Sequence, residues 1–382
     1  MKPFYLLLIL LCTAGTLSAQ TLRLSPEASV SILTHAPGTE LYSVFGHIAV
    51  RVSDPQNEID LLFNYGTFDF RTKHFYFKFA QGLLPYQLSC MPYRDFVEGH
   101  LSDPRGIRVQ VLALDSTGKQ QLFDKLVENY KPANRTYLYN FLYDNCSTRI
   151  RDLIEQSVSP HSVQWNSREE HKSFWNLLDE YLVRMPWVKW GIHTILGQSG
   201  SQTATPYEYM FLPDYLMKAL EGATVEGQPI VSEAYSLYET PDPATSSPWY
   251  TSPFFVFTLS ALLLAGAILL TGSPALLKGS AFLLFAASGA VGVLLVFLGY
   301  FTEHPITAPN LNLIWANPLN LPVAFTLFRK TPGHIIRGYL LAYGIVLLIG
   351  FPLWFWALPA VPAASLPLLL LFALLAFRLR QQ

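Results

Sequence analysis

The second half of this 382-residue chain is almost entirely apolar. From Trp249 to the end, strongly charged side chains stand at only seven positions: Lys278, Glu303, Arg329, Lys330, Arg337, Arg378 and Arg380. A water-soluble domain of this length needs a polar surface, whereas the core of a bilayer accepts long apolar runs. Residues 249–382 are therefore predicted to form a membrane domain.

Five segments of this half are candidates for crossing the bilayer, which takes roughly 20 apolar residues per helix. The third is the weakest, because Pro318 and Pro322 interrupt it. If all five cross and the preceding domain is exported, every Lys and Arg of this half falls on the cytoplasmic side, as the positive-inside bias requires. We therefore predict a domain of five transmembrane helices. The segments are 249–271, 276–301, 313–328, 335–356 and 365–377.

The N-terminus has the features of an export signal. A basic residue precedes an apolar run that extends to Cys12, and small residues lead up to Ala19, which is typical of a cleaved secretory signal peptide. A lipoprotein signal built on Cys12 fits less well, because Leu11 precedes it where a small residue is expected. The predicted divisions are a signal peptide at 1–19, an exported domain at 20–235 and a Pro- and Ser-rich linker at 236–248.

The exported part mixes strand and helix patterns, which predicts an α+β domain. Alternating apolar residues bounded by turn formers indicate strands at 41–52, 59–68 and 106–114. Apolar residues at helical spacing predict a helix at 116–130, and Ser167 with Glu170 forms a capping box that would open a helix at 167–182. A formal net charge of -1 with 14% charged residues gives no indication of a nucleic-acid partner.

Cys146 begins an amphipathic helix, and Asn145 before it is a good N-cap residue. In the first turn the helix dipole favours a thiolate, and the free N–H groups can bind an oxyanion, so the position suits a cysteine nucleophile. Spacing also places Cys146 on the apolar face with Ile150 and Ile154, so a small buried side chain is an equally good interpretation. A disulfide with Cys90 is a third possibility in an oxidising compartment.

A cysteine nucleophile needs a base, and the base needs an orienting group. Among the nine histidines, His47 follows Gly46 inside an apolar strand pattern, where an imidazole requires a hydrogen-bond partner. Asn64, on the next predicted strand, is a candidate for that partner if the two strands pair in register. The alternatives are a hydrogen-bonded core histidine and an asparagine that bonds its own turn.

Four segments, in this order and ahead of an apolar half of five predicted spans, resemble the bacterial lipoprotein N-acyltransferase family Lnb: LYSVFGHIAVRV, NYGTFDF, FAQGLLPYQLS and LYDNCSTRIRDLI. More distantly, a histidine on a strand followed by a cysteine on a helix resembles the papain-like NlpC/P60 fold in permuted order. The resemblance implies that Cys146 is the nucleophile and His47 the general base. It fixes no third residue, so Asn64 is a candidate for orientation only.

The same resemblance implies transfer of an acyl chain from a membrane phospholipid to the α-amino group of a lipoprotein's N-terminal diacylglyceryl-cysteine, through a thioester on Cys146. It implies no cofactor, and places the protein in the bacterial inner membrane with its first domain in the periplasm. No Cys/His spacing in the sequence indicates a zinc site. Two other interpretations stay open: a membrane-anchored NlpC/P60-like cell-wall peptidase, and a non-catalytic envelope sensor.

Glu303 and His304 follow the second predicted span on the exported side of the membrane. Polar side chains at a bilayer surface that face a protein cavity usually mark function. We therefore consider both residues candidates for binding substrate, with wetting by lipid headgroups as the alternative.

Overall fold

The computed structural model describes residues 22–100, 105–167, 170–239, 247–328, 333–357 and 361–382. The predicted signal peptide and residues 240–246 of the predicted linker lie outside this range. The strands are β1 (Ser29–His35), β2 (His47–Asp54), β3 (Ile59–Thr67), β4 (Pro85–Pro92), β5 (Ile107–Leu112), β6 (Thr136–Leu138), β7 (Val163–Gln164), β8 (Thr224–Val225), β9 (Gln228–Pro229) and β10 (Val231–Tyr238).

Among the described residues these strands form two sheets, one of seven strands and a small one in the order β7-β8-β9, and eight helices accompany them in the first half. They are α1 (Phe75–Gln81), α2 (Tyr93–His100), α3 (Ser116–Tyr130), α4 (Cys146–Ser157), α5 (Phe174–Asp179), α6 (Pro186–Ser201), α7 (Pro206–Tyr209) and α8 (Pro213–Gly222).

Seven strands form one antiparallel sheet in the order β10-β5-β1-β2-β3-β4-β6. Alternate residues of β2 point to opposite faces, as the strand period requires. On one face Ile48 and Val50 pack in a core shared with α3 and α4, and on the other Ala49 packs with Leu62 and Val109 beneath α2. The predicted α+β character is confirmed, and both faces of the sheet are covered.

Three sequence predictions need correction here. The strand predicted at 41–52 begins only at His47, because residues 41–45 form turns. The helix predicted from Ser167 begins instead after Ser173, whose side chain accepts a hydrogen bond from Asn176 N–H in a capping box of its own. β10 extends to Tyr238, where it pairs with Ile107, so the sheet includes the first three residues of the predicted linker 236–248.

The membrane half contains four helices that are long and apolar enough to cross a bilayer, counted over the described residues. The third predicted span, 313–328, is not among them: a 3-10 turn and a seven-residue helix stand there, so the count of exactly five transmembrane helices is not confirmed. The helices are α9 (Pro253–Thr271), α10 (Pro274–Tyr300), α11 (Asn320–Thr326), α12 (His334–Ala357) and α13 (Leu366–Arg380).

The third segment nevertheless runs antiparallel along α10. Ala308 packs beside Gly299, the Ala316 carbonyl beside Gly292, and Leu321 beside Gly289. The aromatic rings of Phe325 and Phe328 then contact Phe282. At 1.5 Å per helical residue, the stretch of α10 from residue 299 to residue 282 spans about 25 Å, which is most of a bilayer core.

Irregular backbone is tolerated at membrane depth only when it is buried in protein and its polar groups have partners. The fully buried Asn320 side chain donates to Ser288 Oγ at 3.0 Å and accepts from the Tyr339 hydroxyl at 2.6 Å. The Tyr343 hydroxyl donates to the Trp315 carbonyl at 2.7 Å. These side chains supply the hydrogen bonds that a regular helix would provide for itself.

The two halves are joined where α6 departs from helical geometry at Gly197. There the buried Asn310 side chain donates to the carbonyls of Thr194 and Ile195, at 2.8 and 3.0 Å. These carbonyls lie in the turn before the break, where the helix leaves them available. The loop after α10 thus completes the hydrogen bonding of a helix in the first half.

Candidate active site

The first turn of α4 is fixed by its cap. Asn145 Oδ1 accepts from the N–H groups of Ser147 and Thr148 at 2.8 and 3.0 Å, and Thr148 Oγ1 accepts from Asn145 N–H at 2.8 Å. Asn145 Nδ2 also donates to the Phe211 carbonyl at 2.9 Å, which anchors the cap to the core. The cap predicted at Asn145 is confirmed, and it holds the Cys146 side chain at 6% exposure.

His47 is the first residue of β2, and its imidazole lies beside the Cys146 thiol, close enough for each group to shift the other's pKa. Gly46 before it has a φ of +75°, and a Cβ there would lie 2.8 Å from the His35 carbonyl oxygen. Only glycine suits that combination of left-handed backbone and close contact. The turn therefore places His47 at the start of β2, next to the N-terminus of α4.

Asn64 on β3 completes the line of three residues. Its Oδ1 lies 2.5 Å from His47 Nε2. Because an amide oxygen can only accept, the proton of the neutral ring is assigned to Nε2, which leaves Nδ1 for the thiol. The residues considered from the sequence as nucleophile, base and orienting group thus lie side by side in the order Cys146, His47, Asn64.

In Cys146 and His47, charge and burial shift the pKa in opposite directions. Burial alone raises the pKa of the Cys146 thiol, but the His47 imidazolium and hydrogen bonds from His47, Tyr139 and Ile48 N–H lower it, and the net shift is downward. Burial likewise lowers the pKa of His47, but the Cys146 thiolate and Asn64 raise it further than burial lowers it. The two groups therefore favour a thiolate–imidazolium pair.

Two donors to the sulfur were not found from the sequence. The Tyr139 hydroxyl and the Ile48 backbone N–H both lie beside the Cys146 sulfur and lower the pKa of its thiol. Burial and the neighbouring thiolate raise the pKa of Tyr139 well above 10, so its hydroxyl keeps the proton it donates. Tyr139 is one of several tyrosines in the YLYNFLYDNC run, and no spacing there distinguishes it; the role of Ile48 belongs to the backbone and leaves no sequence signal.

A cavity of about 230 Å³ lies next to Tyr139 and is built by both halves of the chain. The predicted pair Glu303 and His304 lines it, and both are held by α1: Glu303 N–H donates to the Gln81 carbonyl at 2.8 Å, and His304 Nε2 lies 3.1 Å from the Phe79 carbonyl. The wall is otherwise mainly apolar: Phe79, Gly82, Leu84, Tyr86, Tyr139, Asn140, Phe141 and Ile306.

Cys90, the alternative partner for Cys146, lies on β4 opposite Phe63. Both cysteines are free thiols, and burial raises the pKa of Cys90 rather than lowering it. In the part of the chain that the structure describes, no three His, Cys, Asp or Glu side chains are grouped to hold a metal ion.

Residues 18–180 match the family described as the Lnb N-terminal periplasmic domain, and residues 245–380 match the one described as the Lnb transmembrane domain. The chain belongs to the Lnb family. This confirms the family that the four sequence segments resemble, and makes this Lnb protein a multi-pass membrane protein whose first half is a periplasmic domain. No curated protein and no solved structure matches it.

The site of this Lnb protein places a thiol, an imidazole and an amide side by side. A thiolate stabilised by an imidazolium is a nucleophile that needs no separate deprotonation step. The cavity that Tyr139 lines is mainly apolar and provides space for a hydrocarbon chain.

Proposed function

We propose that this protein is a lipoprotein N-acyltransferase that moves an acyl chain from a membrane phospholipid to the α-amino group of a lipoprotein's N-terminal diacylglyceryl-cysteine. The observation that carries the proposal is the Cys146, His47 and Asn64 array beside a cavity that Glu303 and His304 of the membrane half help to line. A soluble substrate would not require a transmembrane domain to form part of the wall.

In the first step the Cys146 thiolate attacks the carbonyl carbon of a phospholipid ester, and the carbonyl electrons move to oxygen. The Tyr139 hydroxyl and Ile48 N–H, which lie beside the sulfur, are the donors proposed to stabilise that oxyanion. When the carbonyl re-forms, the glycerol oxygen leaves and takes a proton from the His47 imidazolium. The products are a lysophospholipid and an acyl thioester on Cys146, with His47 now neutral.

In the second step the lipoprotein amine attacks the thioester carbonyl and transfers a proton to His47. The carbon–sulfur bond breaks, and an amide and the Cys146 thiolate result, so the site returns to its starting state. Asn64 accepts from His47 Nε2 throughout and keeps Nδ1 directed at the reacting atoms. A thioester intermediate suits this acceptor, because amines attack thioesters faster than oxygen esters.

The papain-like part of the proposal rests on the arrangement of the elements. A histidine on the antiparallel sheet precedes a cysteine at a helix N-terminus, with an amide behind the histidine, which is the permuted NlpC/P60 order. The proposed location is the bacterial inner membrane, because phospholipid and unprocessed lipoprotein are both available to a periplasmic site there.

Mass spectrometry of lipoprotein N-termini tests the function. A strain that lacks this gene is expected to lose the amide-linked acyl chain, wild-type protein to restore it, and a Cys146→Ala variant expressed at the same level to fail. If the lipoproteins kept their amide-linked chain while cell-wall peptides accumulated uncut, the peptidase interpretation would replace this one. No change in either would favour a non-catalytic role.

A further inference from the structure

The segment 68–83, which contains α1, exposes more apolar surface than a soluble domain usually does. None of the residues of α1 is buried, and Tyr76 is 80% exposed. Contiguous exposed apolar patches of this kind mark contact with a partner or a membrane. The exposed apolar side chains of the segment are Phe70, Tyr76, Phe77, Phe79 and Leu83.

The C-terminal end of α1 is fixed to the membrane half. Gly82 caps the helix with a φ of +71°, and a Cβ there would lie 2.9 Å from the Glu303 carbonyl carbon. The hydrogen bonds from Glu303 N–H and His304 to α1 carbonyls add to this contact. Because α10 ends at Tyr300, the segment stands within a few residues of the end of a membrane helix.

That helix end has the aromatic residues of a membrane–water interface. Tyr300 and Phe301 are 64% and 70% exposed, and Trp249 and Tyr250 are exposed just before α9. Aromatic belts of this kind lie at headgroup level. The segment 68–83 therefore lies at the level of the lipid headgroups on the side that carries the candidate active site.

The charges of the segment complement phospholipid. Lys73 and Lys78 alternate with the exposed aromatics, and among the described residues neither has an ion-pair partner. Arg71 differs, because Asp69 binds it at 2.7 Å. Lysines beside an apolar face place their ammonium groups among lipid phosphates while the face enters the acyl region.

We propose that residues 68–83 form an interfacial element that inserts into the periplasmic leaflet and admits a phospholipid to the cavity beside Cys146. Phe79 belongs both to the exposed surface and to the cavity wall, so it lies on the path between them. The insertion follows from the position and composition of the segment. What happens to the admitted lipid rests on the proposed function.

Photo-crosslinking of the full-length protein in native membranes tests insertion without any need for activity. Benzoylphenylalanine at Phe77 or Tyr76 is expected to form a covalent adduct with the mass of a phospholipid. At Val127, an exposed position on α3, it is expected to form several-fold less. No lipid adduct at residues 76 and 77, an equal yield at residue 127, or adducts with protein alone would each overturn the proposal.

Kinetics in vesicles test admission of lipid. Phe77→Ser with Tyr76→Ser, and separately Lys73→Glu with Lys78→Glu, are expected to raise the apparent KM for vesicle phospholipid, the charge pair by about five- to thirtyfold in anionic vesicles. Alkylation of Cys146 by a small reagent should keep its wild-type rate in both. An unchanged KM would contradict admission through this segment, whereas loss of thiol reactivity would show damage to the site instead. If the proposed acyl transfer itself were wrong, no variant including wild type would turn over, and the crosslinks would still decide insertion.

Discussion

At the scale of single residues, the state of Cys146 depends on a balance between burial and the charge of His47. Burial raises the thiol pKa, whereas the imidazolium and the hydrogen-bonding groups around the sulfur lower it, and together they lower it by more than burial raises it. We therefore expect the alkylation rate of Cys146, measured with iodoacetamide in a Cys90→Ser background, to rise with pH through a midpoint below the ordinary thiol value of about 8.5.

Removal of the His47 imidazolium should shift the pKa of Cys146 in the opposite direction, upward. In His47→Ala only the hydrogen bonds oppose burial, so the alkylation midpoint is expected to move to higher pH than in wild type. A Cys146→Ala control should not react in this background. An identical midpoint in wild type and His47→Ala would contradict the ion pair.

Substitution of either paired residue should remove acyl transfer without unfolding the protein. Cys146→Ala deletes the nucleophile, and Cys146→Ser replaces a thiolate with a hydroxyl that one histidine activates poorly, so both are expected to be inactive. His47→Ala should lose at least about a hundredfold, which is the lower range for general acid–base catalysis. The readouts are transfer of a labelled acyl chain to a lipoprotein peptide and the thermal unfolding midpoint. Transfer by Cys146→Ala would exclude the thioester.

Tyr139→Phe separates the two donors that contact the sulfur. The substitution keeps the ring in the cavity wall and removes only the hydroxyl, so acyl transfer should fall by about ten- to a hundredfold if the hydroxyl stabilises thiolate and oxyanion. Tyr143→Phe, at an exposed tyrosine in the same run, is the matched control and should retain activity. Equal activity in both variants would assign Tyr139 a packing role.

The sequence predicted Cys146, His47 and Asn64 as candidates, and the structure brings the three together, but the sequence did not predict the other groups around the sulfur. A helix N-terminus and a histidine inside a strand pattern are local features. Asn64 depended on pairing between β2 and β3, and the hydrogen bond to Tyr139 depends on where a loop crosses the sheet, which no local pattern specifies. Glu303 and His304 lie at the cavity, but their contacts with α1 also give them a structural role there.

At the scale of the elements, the third segment of the membrane half depends on close approach to α10. A Cβ at Gly292 would lie 2.1 Å from the Ala316 carbonyl oxygen, and one at Gly289 would lie 2.3 Å from Leu321 N. Both neighbours are backbone atoms, which cannot rotate away. This segment was predicted as a helix because its composition is apolar; its prolines and asparagines give it a different backbone, and that backbone fits only against small residues of α10.

Two alanine substitutions on α10 test this packing. Gly292→Ala should destabilise the protein by roughly 1–3 kcal/mol, the usual cost of overpacking. Gly279→Ala adds the same methyl group on the same helix with nothing within 4 Å, so helix propensity predicts no loss and up to about 1 kcal/mol of gain. Thermal unfolding in detergent micelles measures both. Equal effects would mean that the third segment does not pack there.

At the scale of the whole molecule, the two halves share the candidate site, and the loop after α10 connects them at two places close to it. Asn310 bonds the carbonyls of α6, and Glu303 and His304 bond those of α1. Both connections come from the loop after α10. This loop can reach the site only if the membrane segments leave it on the periplasmic side. The third segment must return the chain to the opposite surface for the Lys and Arg residues to share one side.

Labelling from the periplasmic side tests on which side of the membrane each of these loops lies. In a background with Cys90→Ser and Cys146→Ala, a cysteine at the exposed Glu303 is expected to react with a membrane-impermeant maleimide applied to spheroplasts. A cysteine at the exposed Gly333, beyond the third segment, should react only after the membrane is permeabilised, because about 25 Å of chain along α10 separates the two surfaces. Trp249→Cys and Gly272→Cys flank α9 and serve as references for the two sides.

If the cysteines at residues 303 and 333 both reacted from outside, the third segment would be re-entrant and α12 would run in the opposite direction. If the cysteine at residue 303 were protected while the one at residue 333 reacted, the loop could not lie beside a periplasmic Cys146.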